Sequence, residues 1–322
     1  MSDLVTPADE TTDGDGTVGP MHDAGRYESL PRTGRLDALR QHVLVTKPRI
    51  IELLLVTTVP AMVVAQGGWP GTWLVLATLI GGTLTAGSAN AINNELDRDI
   101  DAIMARTSAR PTATGELPPG RALQVGVVLG VVGFAWLWGF VNLTAALLAT
   151  SAIFFYVFVY TMGLKRRSPQ AVVIGGAAGC IPVLVGWAAV PGASLGDPRP
   201  WLLFAIVFWW TPPHFWALAF KYREDYLAAK LPMLPVTHGY GEATRQILLY
   251  SYLLLAVVMM YIAGAETGPV FTIAGLGLTA VWLWFAHHLR REQTVKAAMR
   301  LFVWSTTYLS LIFVAAAVDA VL

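Results

Sequence analysis

Apolar runs of roughly 18–22 residues recur along most of this chain, and each is long enough to cross a hydrocarbon core of about 30 Å. They fall at 49–67, 72–92, 122–140, 143–163, 171–190, 200–220, 245–264, 269–289 and 301–320. Lipid offers no water to bond backbone N–H and C=O groups, so segments that cross it must satisfy them internally, as helices. Composition agrees: charged residues make up only 13% of the 322 positions, against about 25% in soluble domains. The expected fold class is therefore an all-α integral membrane protein, a bundle of nine transmembrane helices.

The basic residues orient it. Of the 22 lysines and arginines, all but Arg199 lie on the side of the N-terminus or in helix ends that face it. The positive-inside rule then predicts a multi-pass protein of the cell (cytoplasmic) membrane with a cytoplasmic N-terminus; nine spans put the C-terminus outside. Residues 1–40 are polar, with eight acids against four arginines, and read as a disordered cytoplasmic leader. The leader is drawn over 1–45 and the membrane domain over 46–322. It has no basic region followed by an apolar core, so it is not a signal peptide. A single cysteine, Cys180, excludes an intrachain disulfide and a cysteine-cluster metal site. No nucleic-acid motif and no GxxxxGK[ST] loop is present.

One stretch does not suit lipid. NNELDRDIDAIMARTSARP, residues 93–111, follows the second apolar run and carries Glu95, Asp97, Asp99 and Asp101. Asn93, Asp97 and Asp101 are spaced i, i+4, i+8 and drift only about 80° around a helix, so they share one side. Carboxylates near a helix C-terminus oppose the macrodipole by roughly 0.3–1 kcal/mol each where exposed. Two carboxylates and an amide on one face instead form a hard-oxygen set suited to Mg²⁺ that also carries phosphate oxygens. Arg98, Arg106 and Arg110 follow closely, the companions a metal-bridged polyphosphate needs. A solvated acidic loop is the plainer reading; the helical spacing, the junction with a span and the following arginines weigh against it.

Asn93-xxx-Asp97-xxx-Asp101, with Met104, Arg106-Thr107 and Arg110-Pro111, resembles the first aspartate-rich motif of the intramembrane prenyltransferase superfamily. KPRIIELLL at 47–55, YTMGLKRRSPQAVVIGGAAGCIPVLVGWAAV at 160–190 and WWTPPHFWALAFKYREDYLAAKLPMLPV at 209–236 resemble its protohaem IX farnesyltransferase branch. The resemblance implies nine helices around a central, lipid-open cavity with its polar mouth under cytoplasmic loops. It implies transfer of a farnesyl group from farnesyl diphosphate to a vinyl group of haem B, with addition of water, giving haem O and diphosphate. Mg²⁺ is the implied cofactor, haem B a substrate, and haem A synthase or oxidase assembly factors the implied protein partners, with no nucleic acid. The superfamily's second DxxxD motif is altered here, since Lys221 stands where its first aspartate would, and Asp225, ahead of Glu224, is left as the remaining carboxylate.

Roles follow for single residues. Asp97 and Asp101, with Asn93 and Asp225, are expected to hold the metal. Asp99 lies about 200° round the helix from Asp97 and is expected to pair with a neighbouring loop. Lys165 and Arg166, closing the fourth span, are expected on diphosphate with Arg98, Arg106, Arg110 and Lys221; Lys47 and Arg49 are weaker candidates. Any of these cations also reads as an ordinary positive-inside anchor. Tyr156 and Tyr160, i and i+4, offer aromatic faces to an allylic cation, although interfacial tyrosines are common. His214, among Trp209, Trp210 and Trp216 and after Pro212-Pro213, is either an iron ligand in a haem/prenyl pocket or a partner of a carbonyl freed by proline. His287 and His288 read as interfacial, Glu52 as the partner of a loop cation, and Gly175, Gly176 and Gly179 as a helix-packing surface. Rival readings are a prenyltransferase for a quinone precursor, a multi-pass transporter and a structural oxidase subunit. Transporters generally place charge near mid-bilayer, and here it gathers at one interface.

Overall fold

The computed structural model describes residues 34–322, with the side chains of 35–39 and 48–55 outside that description. The leader up to residue 33, and the expectations for Arg49 and Glu52, therefore lie outside the described residues. Helix α1, Arg35–Leu44, occupies a stretch expected to lack structure. Its far end is held, because Val45 is buried and its carbonyl accepts the side-chain amide of Asn94 at 2.7 Å.

Helices α2 (Pro48–Gln66) and α3 (Thr72–Leu96) come next, then two short ones, α4 (Arg98–Ile103) and α5 (Pro111–Thr114), then α6 (Arg121–Phe140). Helix α7 (Leu143–Phe154) runs without a break into a π-helical segment, Phe155–Leu164, followed by α8 (Ala171–Ala189) and α9 (Pro198–Lys221). Short α10 (Arg223–Ala228) and α11 (Leu234–Thr237) lead to α12 (Gly239–Gly264), α13 (Pro269–Glu292) and α14 (Val295–Asp319). Among the described residues eight helices are long and apolar enough to cross a membrane, α7 and the π-helical segment counting as one. They coincide with the second to ninth expected spans. The first falls on α2, of whose side chains only the apolar stretch Val56–Gln66 is described, so the described residues account for eight of the nine. The chain is a multi-pass membrane protein.

The sequence marks its own helix starts. Proline opens α2, α5, α9, α11 and α13, where its missing N–H leaves nothing unbonded. Asn142, Asp197 and Thr294 cap α7, α9 and α14 by accepting a backbone N–H.

Each spanning helix packs on the next, and α14 returns to α2, closing a ring; α2 also meets α8, and α9 meets α14. Helix α8 is the most buried, followed equally by α3 and α9, and α6 is the most exposed; residues such as Val131, Ile273 and Val303 turn outward, as lipid-facing side chains should. In lipid there is little hydrophobic drive between helices, so close backbone approach has to supply contact. Gly126 shows it: a Cβ there would lie 2.5 Å from the Ile92 side chain and 3.0 Å from the Ser88 carbonyl. On the outside, a wholly apolar cavity of about 340 Å³ lies between α2 and α14, lined by Val59, Pro60, Val63, Val314 and Val318 among others.

Candidate active site

The polar chemistry collects at one end of the bundle, where α2 begins and α3 ends. There α3 carries a row of buried polar side chains, Asn90, Asn93 and Asn94, which continues through Asp97 to Asp101. The helix breaks at Asp97, where α4 starts. The ladder still carries across, with Asp97 N–H on the Asn93 carbonyl at 2.9 Å and Asp101 N–H on the Asp97 carbonyl at 2.8 Å. The i, i+4, i+8 register therefore survives the break, and all three side chains are buried.

Around them stands a shell of cations from separate parts of the chain. Lys165 pairs with Asp97, which is fully buried. Arg110 donates to Asp101 at 2.6 Å. Lys47 donates to Asn93 Oδ1 at 2.8 Å from a left-handed backbone, φ 53°, a conformation a non-glycine residue holds only where its surroundings enforce it. The Asn93 amide in turn donates to Asp97 at 2.7 Å and to Thr161 Oγ1 at 3.1 Å. Burial, then the neighbouring Arg110 and Lys165 cations, push the Lys47 ammonium well below its usual range, while Asp101 and Asp97 pull it back. By geometry alone, Lys47, Lys165 and Arg110 gather around Asn93, Asp97 and Asp101, donors that an anion entering this end would meet.

A cap closes over this end. Ile100 and Met104 form a small apolar cluster with Tyr226, Ala229 and Leu231, joining α4 to the α10 region. Arg106 lies over the Tyr222 ring, 5.4 Å from its centroid, and its backbone N–H donates to Asp225 at 3.0 Å. Tyr226 is buried, which raises its phenol, and the Arg106 and Lys165 cations act against that rise.

Other expected residues stand elsewhere. Arg98 donates to the carbonyls of Thr112, Leu117 and Pro118 and to Glu95; it holds the 98–118 segment closed, and its donors turn away from the carboxylates. Arg166 is bonded at 2.6 Å to both oxygens of Asp99 and at 2.9 Å to the Leu96 carbonyl, the pairing expected of Asp99. That bond holds the Asp99 carboxyl below its ordinary range. Lys221 is exposed, 5.4 Å from the centre of the Tyr222 ring, and Glu224 is exposed and pairs with Arg223. Asn93 differs from its expected part as a ligand, since its oxygen is taken by Lys47 and it acts on Asp97 by donation.

The aromatic residues separate into two groups. Tyr156 and Tyr160 stack at 5.3 Å on the π-helical segment, and Tyr160 lies so close to Gly175 that a Cβ there would fall 2.2 Å from its ring. Both tyrosines lie within electrostatic reach of Asp97. Trp209 and Trp216 instead pack on Tyr250 of α12, Trp216 being fully buried, so neither joins the tyrosines. His214 lies between Trp210 and Phe302, with Nδ1 on Ser305 Oγ; its partner is a hydroxyl of α14 rather than a carbonyl freed by Pro212 or Pro213. His287 meets Tyr252, and His288 pairs with Glu292. Thr161, Tyr226 and Ser305 carried no signal in the sequence, because each acquires its part from residues remote in the chain.

A divalent ion calls for converging oxygen donors. Among the described residues no group of three or more His, Cys, Asp or Glu converges. Asp97 Oδ1, however, is buried without a hydrogen-bond donor, with the Arg166 guanidinium 3.9 Å away. A buried carboxylate oxygen without a donor fits a small hard cation that completes its shell with water and phosphate oxygens. The residues fit such an ion with few protein ligands and do not form a closed protein cage.

The chain is similar to known proteins along most of its length. The model of the UbiA prenyltransferase family matches residues 54–312. Proteins named protoheme IX farnesyltransferase from Clavibacter sepedonicus and Frankia alni are 50% and 51% identical, each over 88% of this chain and over 93% and 98% of their own lengths. A UbiA homolog from Archaeoglobus fulgidus, solved bound to GPP and Mg²⁺, superposes with a TM-score of 0.62 at 15% identity, covering 86% of this chain and 99% of that one. With its family model spanning most of the membrane domain and close relatives matched nearly end to end, the chain belongs to the UbiA prenyltransferase family.

Proposed function

We propose that this protein transfers the farnesyl group of farnesyl diphosphate to a vinyl group of haem B, with addition of water, giving haem O and diphosphate. One observation carries the chemistry: Lys47, Lys165 and Arg110 converge on buried Asp97 and Asp101 beneath a cap that brings in Arg106. The choice of haem as acceptor rests on the half-identical relatives named for that activity.

In this reading Lys165, Lys47, Arg106 and Arg110 bind the diphosphate, and Lys221 stands at the rim. Asp97 and Asp101, with Asp225 at the edge of the cap, would hold Mg²⁺, and Asn93 orients Asp97. When bound there, Mg²⁺ supplies neutralisation of the leaving diphosphate's charge. The allylic C–O bond breaks with its electron pair departing on diphosphate, and the preorganised ammonium and guanidinium donors receive that charge in a site screened from water. The stacked faces of Tyr156 and Tyr160 border the electron-poor carbon and favour it electrostatically, by about 2 kcal/mol or more when desolvated. A vinyl carbon of haem then bonds to that carbon, and water adds to its neighbour with loss of a proton. His214 keeps Nε2 for the haem iron while Nδ1 is held by Ser305. The distribution of basic residues favours the cytoplasmic face of the cell membrane for this end of the bundle.

The test is incubation of the purified protein with haem B, farnesyl diphosphate and Mg²⁺, followed by mass analysis of the porphyrin. A gain of a farnesyl group plus a hydroxyl is expected, abolished by chelation and reduced at least about a hundredfold in Asp97→Asn. Unmodified haem alongside prenylation of a hydroxybenzoate acceptor would overturn the reading in favour of a quinone-precursor enzyme.

A further inference from the structure

The fourth span changes its winding halfway. Up to Phe154 it is an α-helix; from Phe155 to Leu164 it is a π-helix, closed by bonds five residues apart. Such segments make up well under 1% of residues and cluster at functional sites. This one carries Tyr156, Tyr160 and Thr161 and leads straight into Lys165. In an α-helix, Tyr156 and Lys165 are nine residues apart, about 900° of rotation, and would point to opposite sides. A ladder of bonds from i to i+5 stacks 156 under 161 and 160 under 165 instead. The second of these pairs is joined by Lys165 N–H on the Tyr160 carbonyl at 2.8 Å. The altered winding is therefore what lets Lys165 reach Asp97 from the helix that also carries the two stacked tyrosines.

Thr161 sits at the centre of this arrangement. Its hydroxyl donates to the Tyr156 carbonyl, five residues back, at 2.8 Å, and accepts the Asn93 amide at 3.1 Å. The contrast within the chain is informative. Thr78, Thr150, Thr211 and Ser251 all bond the carbonyl four residues back, the ordinary habit of a hydroxyl in an α-helix. Thr161 is buried, and its oxygen links the π-helical turn to the amide that orients Asp97. Nothing in its type requires a hydroxyl in an apolar span, and an unbonded one there would be costly.

We propose that Thr161 is a positioning residue that locks the π-helical register of the fourth span to Asn93, and so holds Lys165 on the diphosphate and Tyr156 and Tyr160 beside the carbon it leaves. It touches no reacting atom and acts through Asn93 and through the helix. The inference rests on the prenyl-transfer reading for the identity of the ligand, but not for the geometry.

The experiment measures binding and turnover separately. Inorganic diphosphate and farnesyl diphosphate are titrated calorimetrically into the full-length protein with Mg²⁺, and haem B is titrated in parallel, for wild type, Thr161→Ser and Thr161→Val. Thr161→Val is expected to weaken both diphosphates about tenfold, the worth of one or two buried hydrogen bonds, and to raise KM for farnesyl diphosphate alike, with haem affinity unchanged. Thr161→Ser, which keeps the hydroxyl, should stay within about twofold of wild type. If Thr161→Val does not fold, Thr161→Ala removes the same hydroxyl without the branched bulk and carries the same expectation. Diphosphate affinity equal to wild type in a hydroxyl-free variant, or equal losses in the serine and hydroxyl-free variants, would overturn the proposal. A wild type that binds diphosphate tightly yet never modifies haem would sink the haem reading and leave this one standing.

Discussion

Lys165 and Arg166 are neighbours in the sequence, both basic and both at the end of the same span, yet the fold gives them different work. Lys165 meets a carboxylate with no exposure at all, whereas Arg166 meets Asp99, which is 63% exposed. Exposed ion pairs contribute about 0–1 kcal/mol, and donors aimed at developing charge in a desolvated site are worth roughly 2.7–4 kcal/mol. Lys165→Met is therefore expected to lower kcat/KM about a hundredfold or more and Arg166→Met less than about tenfold, measured by steady-state haem O formation. Equal losses in the two would show that the distinction drawn from burial is wrong. At this scale the sequence was informative where spacing alone carries the geometry. Asn93, Asp97 and Asp101 could be placed on one side because four-residue steps nearly repeat the turn of a helix. Lys47 could not be raised above a generic anchor, because its partner Asn93 is 46 positions away and only the meeting of α2 and α3 joins them. Trp209 and Trp216 misled for the matching reason: a tryptophan beside a histidine reads the same whether it lines a pocket or packs on Tyr250.

At the scale of the element, the segment between α4 and α6 behaves as a lid held by one guanidinium. Arg98 binds three of its carbonyls, and Glu95 accepts both from Arg98 and from the Gly120 N–H at 3.0 Å. Arg106 and Arg110 ride on that segment, so Arg98 acts on them through the backbone. Arg98→Ala is expected to speed amide hydrogen exchange over 104–120 in the ligand-free protein and to raise KM for farnesyl diphosphate severalfold, with kcat reduced less. Unchanged exchange with a large loss of affinity would mean that Arg98 contacts phosphate itself. The resemblance implies only cytoplasmic loops over a polar mouth, and the sequence assigns the arginines of this segment by proximity alone. It could not reveal the π-helical segment either. Residues 143–164 are apolar on every side, so no stripe distinguishes a turn closed at four residues from one closed at five.

For the whole molecule, the ring of helices turns on whether α2 crosses the membrane, because eight spans leave both ends of the chain on one side and nine separate them. Its 19 residues give a rise of about 28 Å, close to the hydrocarbon thickness. Its packing points the same way: Lys47, just before its first residue, reaches Asn93 at the polar end, whereas Met62 packs with Val75, Ala189 and Val190. Those last residues belong to the opposite ends of α3 and α8. A helix whose two ends touch opposite ends of its neighbours runs the full depth of the bundle. The nearly one-sided distribution of lysine and arginine then predicts which face is inside, Arg199 alone lying across from the rest. Reporter fusions in the cell membrane give the readout. A phosphatase that works only outside should be active when fused after residue 322 and inactive when fused after residue 110 or 238, and a cysteine placed at Gly196 should react with an impermeant thiol reagent added to intact cells. Activity of the fusion after 110 together with silence after 322 would reverse the orientation. Activity of a phosphatase fused at the N-terminus, with activity after 322 retained, would make α2 a helix that enters the bilayer without crossing it, and the bundle would then carry its acidic site on a fold with an even number of spans.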